Sequence, residues 1–158
     1  MTTRAPGRGG GFTLVEIMVV LVIIGMTLGL VSLNAMPSPR QDLQSEARRL
    51  SLLLQLARDE AIVRNRPITF EATTERYHFL VRNETRWVPI TDDDLLRERD
   101  FKNAPLTLML DPQSAGTVDP LRITFGREPV DKPFVLTLAS GASHVAIQAD
   151  GVGHFTVE

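Results

Sequence analysis

The chain has no cysteine, one tryptophan, one tyrosine and three histidines. Without thiols there can be no disulfide, no thiolate metal site and no cysteine nucleophile. His78, His144 and His154 are scattered, without the spacing that a metal centre or a nucleophile–base pair requires. A tight final hairpin would set His144 across from His154 as a solvated pair. Neither Ser140-Gly141 nor Gly151-Val152-Gly153 forms a nucleophile elbow or a phosphate loop. Asp92-Asp93-Asp94 lacks the alternating oxygen ligands of a calcium loop and suits capping of a short turn before Leu95-Leu96. Excess charge of one sign is missing too: 17 basic residues face 19 acidic ones, for a net charge of −2. Arginines alternate with acids, as in Arg97-Glu98-Arg99-Asp100, which argues against nucleic acid as the main partner. Repeats and low-complexity tracts are absent. The residues give no sign of a catalytic site, a cofactor or a metal.

What the chain does have is one long apolar run. Gly9-Gly10-Gly11 leads into Phe12-Thr13-Leu14-Val15-Glu16-Ile17, and the stretch continues to Leu33 with Glu16 as its single ionisable residue. At ~1.5 Å per residue a helix of this length crosses a hydrocarbon core of ~30 Å. It exceeds the 7–15 residues of a secretory signal's apolar core, and no small-x-small cleavage motif follows it. A charged residue costs about 2.5–3.5 kcal/mol at the centre of such a helix and less near an end, so Glu16 calls for a partner. The plainer alternative is a carboxylate snorkelling to the interface about one turn away. Gly25 and Gly29 form a Gly-x-x-x-Gly spacing that permits close helix approach. Arg4 and Arg8 precede the run and place the N-terminus in the cytoplasm, although Arg40 lies just past the far end. The remainder suffices for one small domain beyond the membrane.

Pro37 and Pro39 bracket Ser38, and Ser38-x-x-Gln41 matches a capping box, so a helix breaks here and restarts. From Gln41 to about Asn65, Leu43, Ala47, Leu50, Leu54, Ala57 and Ala61 trace one apolar face. Leu52, Leu53, Leu56, Ile62 and Val63 widen it, while Arg48, Arg49, Ser51, Gln55, Arg58 and Asp59 lie mostly off it. Beyond Arg66-Pro67 the period changes to two. Strands are predicted at Ile68–Ala72, Tyr77–Val81, Trp87–Ile90, Leu106–Leu110, Leu121–Phe125, Phe134–Leu138, Val145–Ala149 and Val152–Val157. Asp150-Gly151 reads as a two-residue hairpin between the last pair. The expected class is α+β: a long N-terminal helix, half in lipid and half packed on an antiparallel β-sheet. Residues 1–11 form a leader, 12–36 the transmembrane helix, 37–66 an amphipathic helix outside the membrane and 67–158 the sheet domain.

Gly11-Phe12-Thr13-Leu14-Val15-Glu16 resembles the class III signal of type IV pilins and type II secretion pseudopilins. Ala57-Arg58-Asp59-Glu60-Ala61-Ile62, the Arg66-Pro67-Ile68 strand opening, Tyr77-x-Phe79, the Trp87 strand and Asp150-Gly151 resemble the minor pseudopilin H family. Phe125-Gly126-Arg127-Glu128-Pro129 departs from the small-residue turn expected there. The resemblance implies cleavage after Gly11 and N-methylation of Phe12 by a prepilin peptidase. It also implies that Glu16 pairs with the terminal ammonium of a neighbouring subunit during assembly. The implied setting is the bacterial inner membrane with a periplasmic C-terminal domain, near the tip of a pseudopilus that supports export of folded proteins. The implied partners are the major pseudopilin, minor tip pseudopilins and an inner-membrane assembly platform. Trp87 reads as core or rim packing, with a partner anchor as the alternative. Two rival functions remain open: a minor pilin of a type IV pilus or DNA-uptake machine, and an anchored ligand-binding domain that never assembles.

Overall fold

A computed structural model describes residues 13–34, 38–112 and 120–158, with the backbone alone over residues 29–34. The chain divides into two units, Met1–Pro37 and Ser38–Glu158. In the first, α1 spans Leu14–Asn34. Thr13 opens it: the Glu16 amide donates to Thr13 Oγ1 at 3.2 Å and to the Thr13 carbonyl at 3.1 Å. Every side chain described along α1, through Leu28, is exposed, including Leu14, Met18 and Ile24. The Thr27 hydroxyl donates to the Ile23 and Ile24 carbonyls at 2.9 Å each, so it carries no unmet donor into apolar surroundings. Among the described residues no helix is long and apolar enough to cross a membrane. The part of α1 with described side chains, Leu14 to Leu28, reaches only ~22 Å at ~1.5 Å per residue.

In the second unit, α2 spans Pro39–Val63, and the expected capping box is present. Ser38 Oγ accepts the Gln41 amide at 3.3 Å, and the Ser38 amide donates to Gln41 Oε1 at 3.3 Å. The break expected at Pro37 falls on residues 35–37, outside the described residues. At its far end α2 closes in a Schellman motif, with Asn65 at φ +52°. There the Asn65 amide reaches the Ile62 carbonyl at 3.1 Å and the Arg66 amide reaches the Ala61 carbonyl at 3.0 Å. Pro67 then cannot continue the helix.

Among the described residues nine strands follow: β1 Ile68–Ala72, β2 Arg76–Asn83, β3 Arg86–Pro89, β4 Arg99–Asp100, β5 Thr107–Asp111, β6 Leu121–Phe125, β7 Phe134–Ser140, β8 Ser143–Ala149 and β9 Phe155–Val157. They form two antiparallel sheets where the sequence suggested one. The first runs β3-β2-β1-β6, with β4 also on β2, and the second runs β5-β7-β8-β9. Alternating patterns specify which face of a strand is apolar but not which edges pair. Here β6 returns to β1, with Phe70 opposite Ile123, while β5 starts the second sheet against β7.

The two-residue hairpins also lie elsewhere than expected. Asn83 pairs with Arg86 and Ser140 with Ser143, so Glu84-Thr85 and Gly141-Ala142 are the tight turns. Glu84 at φ +52° and Gly141 at φ +58° supply the left-handed residue that each needs. The β8–β9 connection runs from Asp150 to His154, with Ala149 opposite Phe155.

Helix α2 packs on β8, β9, β7, β1 and β6, so it touches both sheets. Leu43, Ala47, Leu50, Leu54, Ala57 and Ala61 are all buried, as the stripe predicted. Leu52 and Val63 are exposed, because a step of ~100° per residue turns them away from that stripe. Phe70, Tyr77 and Phe79 stack at 5.4 to 6.2 Å between ring centroids, and Phe101 lies 5.0 Å from Tyr77. Phe155 of the second sheet meets Phe125 of the first at 6.3 Å, joining both sheets in one core. Burying Phe70, Tyr77 or Phe79 fully contributes about 1.5–3 kcal/mol each over leaving it exposed.

Candidate functional site

Glu16 lies in the first turn of α1, exposed on a helix whose other described residues are all uncharged. A carboxylate there faces the positive end of the helix dipole, a small local stabilisation. Thr13 is a residue that motif reading passed over. Its signal was the Thr-x-x-Glu spacing of a capping box, and its hydroxyl fixes the Glu16 backbone at the entry of the helix. Gly11 and Phe12 lie outside the described residues. Gly25 has nothing within 4 Å of where a Cβ would stand, so its face of α1 is open to a close neighbour. Gly29 falls on the same face one turn later, on helical backbone.

The polar groups of the second unit serve its own turns. Asp93 Oδ1 accepts the Leu95 and Leu96 amides at 2.8 and 3.2 Å, as a turn cap does. Asp150 Oδ1 accepts the Val152, Gly153 and His154 amides at 2.8, 3.1 and 3.0 Å. Those three bonds hold the last connection open as a loop where Asp150-Gly151 suggested a two-residue turn. His154 Nδ1 lies 2.6 Å from Asp150 Oδ2, and that bond is the main cause that lowers the Asp150 carboxyl to about 2. His144 stands opposite Ala139 and does not face His154. Among the described residues no cluster of three or more histidines and carboxylates could hold a metal ion. Trp87 sits at the rim of the first sheet, with the Arg82 guanidinium 5.6 Å from its ring.

Two charged residues that helical periodicity placed off the stripe or passed over are buried: Arg58 and Glu46. The Arg58 Nη2 donates to the Pro129 carbonyl, and its Nη1 lies 3.5 Å from Asp59 Oδ1. Glu46 faces Arg49 at 3.8 Å, near the buried Tyr77. Burial pushes the Tyr77 hydroxyl up, with Arg49 and Arg99 opposing and Glu46 assisting. The signal for Arg58 was Gly153, far along the chain and outside any helical window.

An apolar N-terminal helix with a carboxylate in its first turn, and a capped helix laid on antiparallel sheets, define a pilin-like subunit. Residues 8–32 match the prokaryotic N-terminal methylation motif. Residues 46–153 match the family described as type II transport protein GspH. The chain belongs to that family and is a minor pseudopilin of type II secretion. Type II secretion system protein H of Pseudomonas aeruginosa is 35% identical over 134 residues, covering 83% of this chain and 76% of that one. The minor pseudopilin EpsH from the type 2 secretion system of Vibrio cholerae has a TM-score of 0.59 at 16% identity, over 76% of this chain and 95% of that one. The type IV minor pilin FimU of Pseudomonas aeruginosa has a TM-score of 0.54 at 23% identity, over 75% of this chain and 90% of that one. These two structural likenesses are likenesses of fold.

Proposed function

We propose that this minor pseudopilin is made with a leader of residues 1–11, anchored in the inner membrane by residues 12–36, and assembled through Glu16. Residues 37–66 and 67–158 then form the periplasmic domain. A prepilin peptidase cuts after Gly11 and methylates the new Phe12 amine. That amine has a reference pKa of about 7.7–8.0 and stays cationic on methylation. In a stack of subunits it lies against a neighbour's Glu16, and each charge relieves the desolvation cost of the other. The observation that carries this reading is Glu16 itself, the lone ionisable residue of α1. Gly25 and Gly29 serve close packing between such helices. The major pseudopilin, the other minor subunits of the tip and the inner-membrane platform are the partners, and the role is structural, without catalysis.

The test is Glu16→Gln in secreting cells. The expected result is processed Phe12 with subunits that fail to enter the fibre; normal incorporation and export would overturn the proposal. N-terminal mass spectrometry separates an assembling subunit from a permanent anchor: methylated Phe12 favours assembly, an intact Met1 or Thr2 the anchor. The likeness to FimU keeps a pilus role in view as the second reading. Gene deletion discriminates, since loss of exoprotein secretion with intact twitching and transformation fits the first reading and the reverse result fits the second.

A further inference from the structure

The first turns of α2 turn cations outward and keep their acids inward. Arg40, Arg48 and Arg49 are exposed. Asp42 is half-buried and 3.5 Å from Lys102, while Glu46 is buried and 3.8 Å from Arg49. No acidic side chain of α2 is exposed before Asp59. Among the described residues Arg40 and Arg48 are in no ion pair. Arg40, Gln44, Arg48 and Leu52 recur every four residues, so they lie side by side on one ridge of the helix. The surplus is local. Residues 38–158 hold 15 basic and 18 acidic residues, the whole chain less Arg4, Arg8 and Glu16. An acid-free cationic ridge on a net acidic body selects an anionic partner.

The chain itself brings one anionic surface within reach. Only residues 35–37 separate Asn34, the last residue of α1, from the Ser38 cap of α2. At 3.3–3.6 Å per residue, those four steps extend no further than about 14 Å. With residues 12–36 in lipid, α2 begins at the phospholipid headgroups. Arg48 lies only about 15 Å of helix beyond Ser38, at ~1.5 Å per residue, and its long stem shortens the gap further.

We propose that the Arg40–Arg48 ridge binds the phosphates of anionic phospholipids in the periplasmic leaflet. It holds α2 down on the membrane while the subunit is not yet assembled. Guanidinium groups suit this task, because their forked N–H donors match phosphate oxygens in pairs. Leu52, 66% exposed, ends the ridge with the kind of apolar side chain that interfacial helices set at the headgroup boundary. Two arginines are a weak site for a free domain. Here the tether supplies the lipid at an effective concentration in the millimolar range, so a weak site suffices. Arg40, which stood against the orientation taken from Arg4 and Arg8, thereby gains a use on its own side of the membrane. The proposal rests on the anchor proposed above.

The experiment reconstitutes the full chain in vesicles of phosphatidylcholine, alone or with one-third phosphatidylglycerol. A nitroxide at Ser45→Cys, exposed on α2, is the only label because the chain has no cysteine. Its relaxation by a lipid-borne nickel chelate reports the ratio of docked to free α2. The expected ratio is higher with phosphatidylglycerol and falls at high salt. Arg40→Gln and Arg48→Gln should each lower it about fivefold, equivalent to about 1 kcal/mol apiece. Arg127→Gln with Lys132→Gln, which removes two cations elsewhere on the domain, should leave it unchanged. Equal ratios in the two lipids, or a double Arg40→Gln, Arg48→Gln variant that docks like wild type, overturn the proposal. So does a ratio that rises with protein density at fixed lipid composition, since a second copy would then cover the ridge. A chain stripped from the vesicles by alkaline carbonate sinks the anchor reading beneath it. One that stays in the vesicles and ignores lipid charge sinks the headgroup site alone.

Discussion

Asp150 and His154 close the β8–β9 connection on itself, with Oδ2 and Nδ1 2.6 Å apart. The pairing gives the domain an acid-sensitive point. The Asp150 carboxyl titrates at about 2 against an ordinary 3.8. A carboxylate lowered in the folded state contributes stability above the higher value, and that contribution is lost as pH falls through the lower one. Wild type should therefore lose melting temperature between pH 3.8 and about 2 more steeply than Asp150→Asn. Thermal melts followed by circular dichroism across that window check this. Parallel acid profiles would show that the pair contributes nothing.

Ser38→Ala removes one half of the capping box at the start of α2. Loss of such a cap costs about 1 kcal/mol. The urea midpoint should drop accordingly while the denaturant slope is unchanged, because the exposed surface on unfolding stays the same. A midpoint equal to wild type would mean that water replaces the Ser38 hydroxyl without cost.

Phe70→Ala opens a cavity where Ile123 and Phe79 flank a fully buried ring. The expected cost is about 3–5 kcal/mol. Trp87→Ala, a truncation of a larger but half-exposed ring at the rim, should cost no more than about 1 kcal/mol. Calorimetry of the two variants side by side tests the assignment of core and rim, and the order of their losses is the readout.

Glu16→Gln should leave the unfolding of residues 38–158 untouched while lowering incorporation into the fibre. Removing one member of a buried ion pair costs about 3–5 kcal/mol, because the remaining charge is stranded. Co-purification with sheared pseudopili reports incorporation, and hydrogen exchange on the second unit reports folding. A Glu16→Gln subunit that unfolds more readily would move the residue from assembly to stability.

The capped start of α2, its buried stripe and the limits of β1 and β6 were all legible in the sequence, because they depend on local chemistry and period. Division of the strands into two sheets was not legible. Pairing of β5 with β7 and of β6 with β1 is a matter of long-range edges, on which alternation is silent. The Asp150-Gly151 signal misled for a different reason: the same carboxylate that marks a tight turn can instead gather three amides around a wider one. At the candidate site, Glu16 stood out because a charge in an apolar run is costly. Arg58 did not, because its burial depends on the missing side chains of Gly153 and on a carbonyl at Pro129.

Helix α2 lies against strands of both sheets, and Phe125 meets Phe155 where they adjoin. Neither sheet can then shed its covering layer while the other keeps it. Amide protons in β1 and β8 should exchange with one shared opening energy, as a single foldon. Tension applied to the base of α2 would consequently be borne by the entire periplasmic body at once.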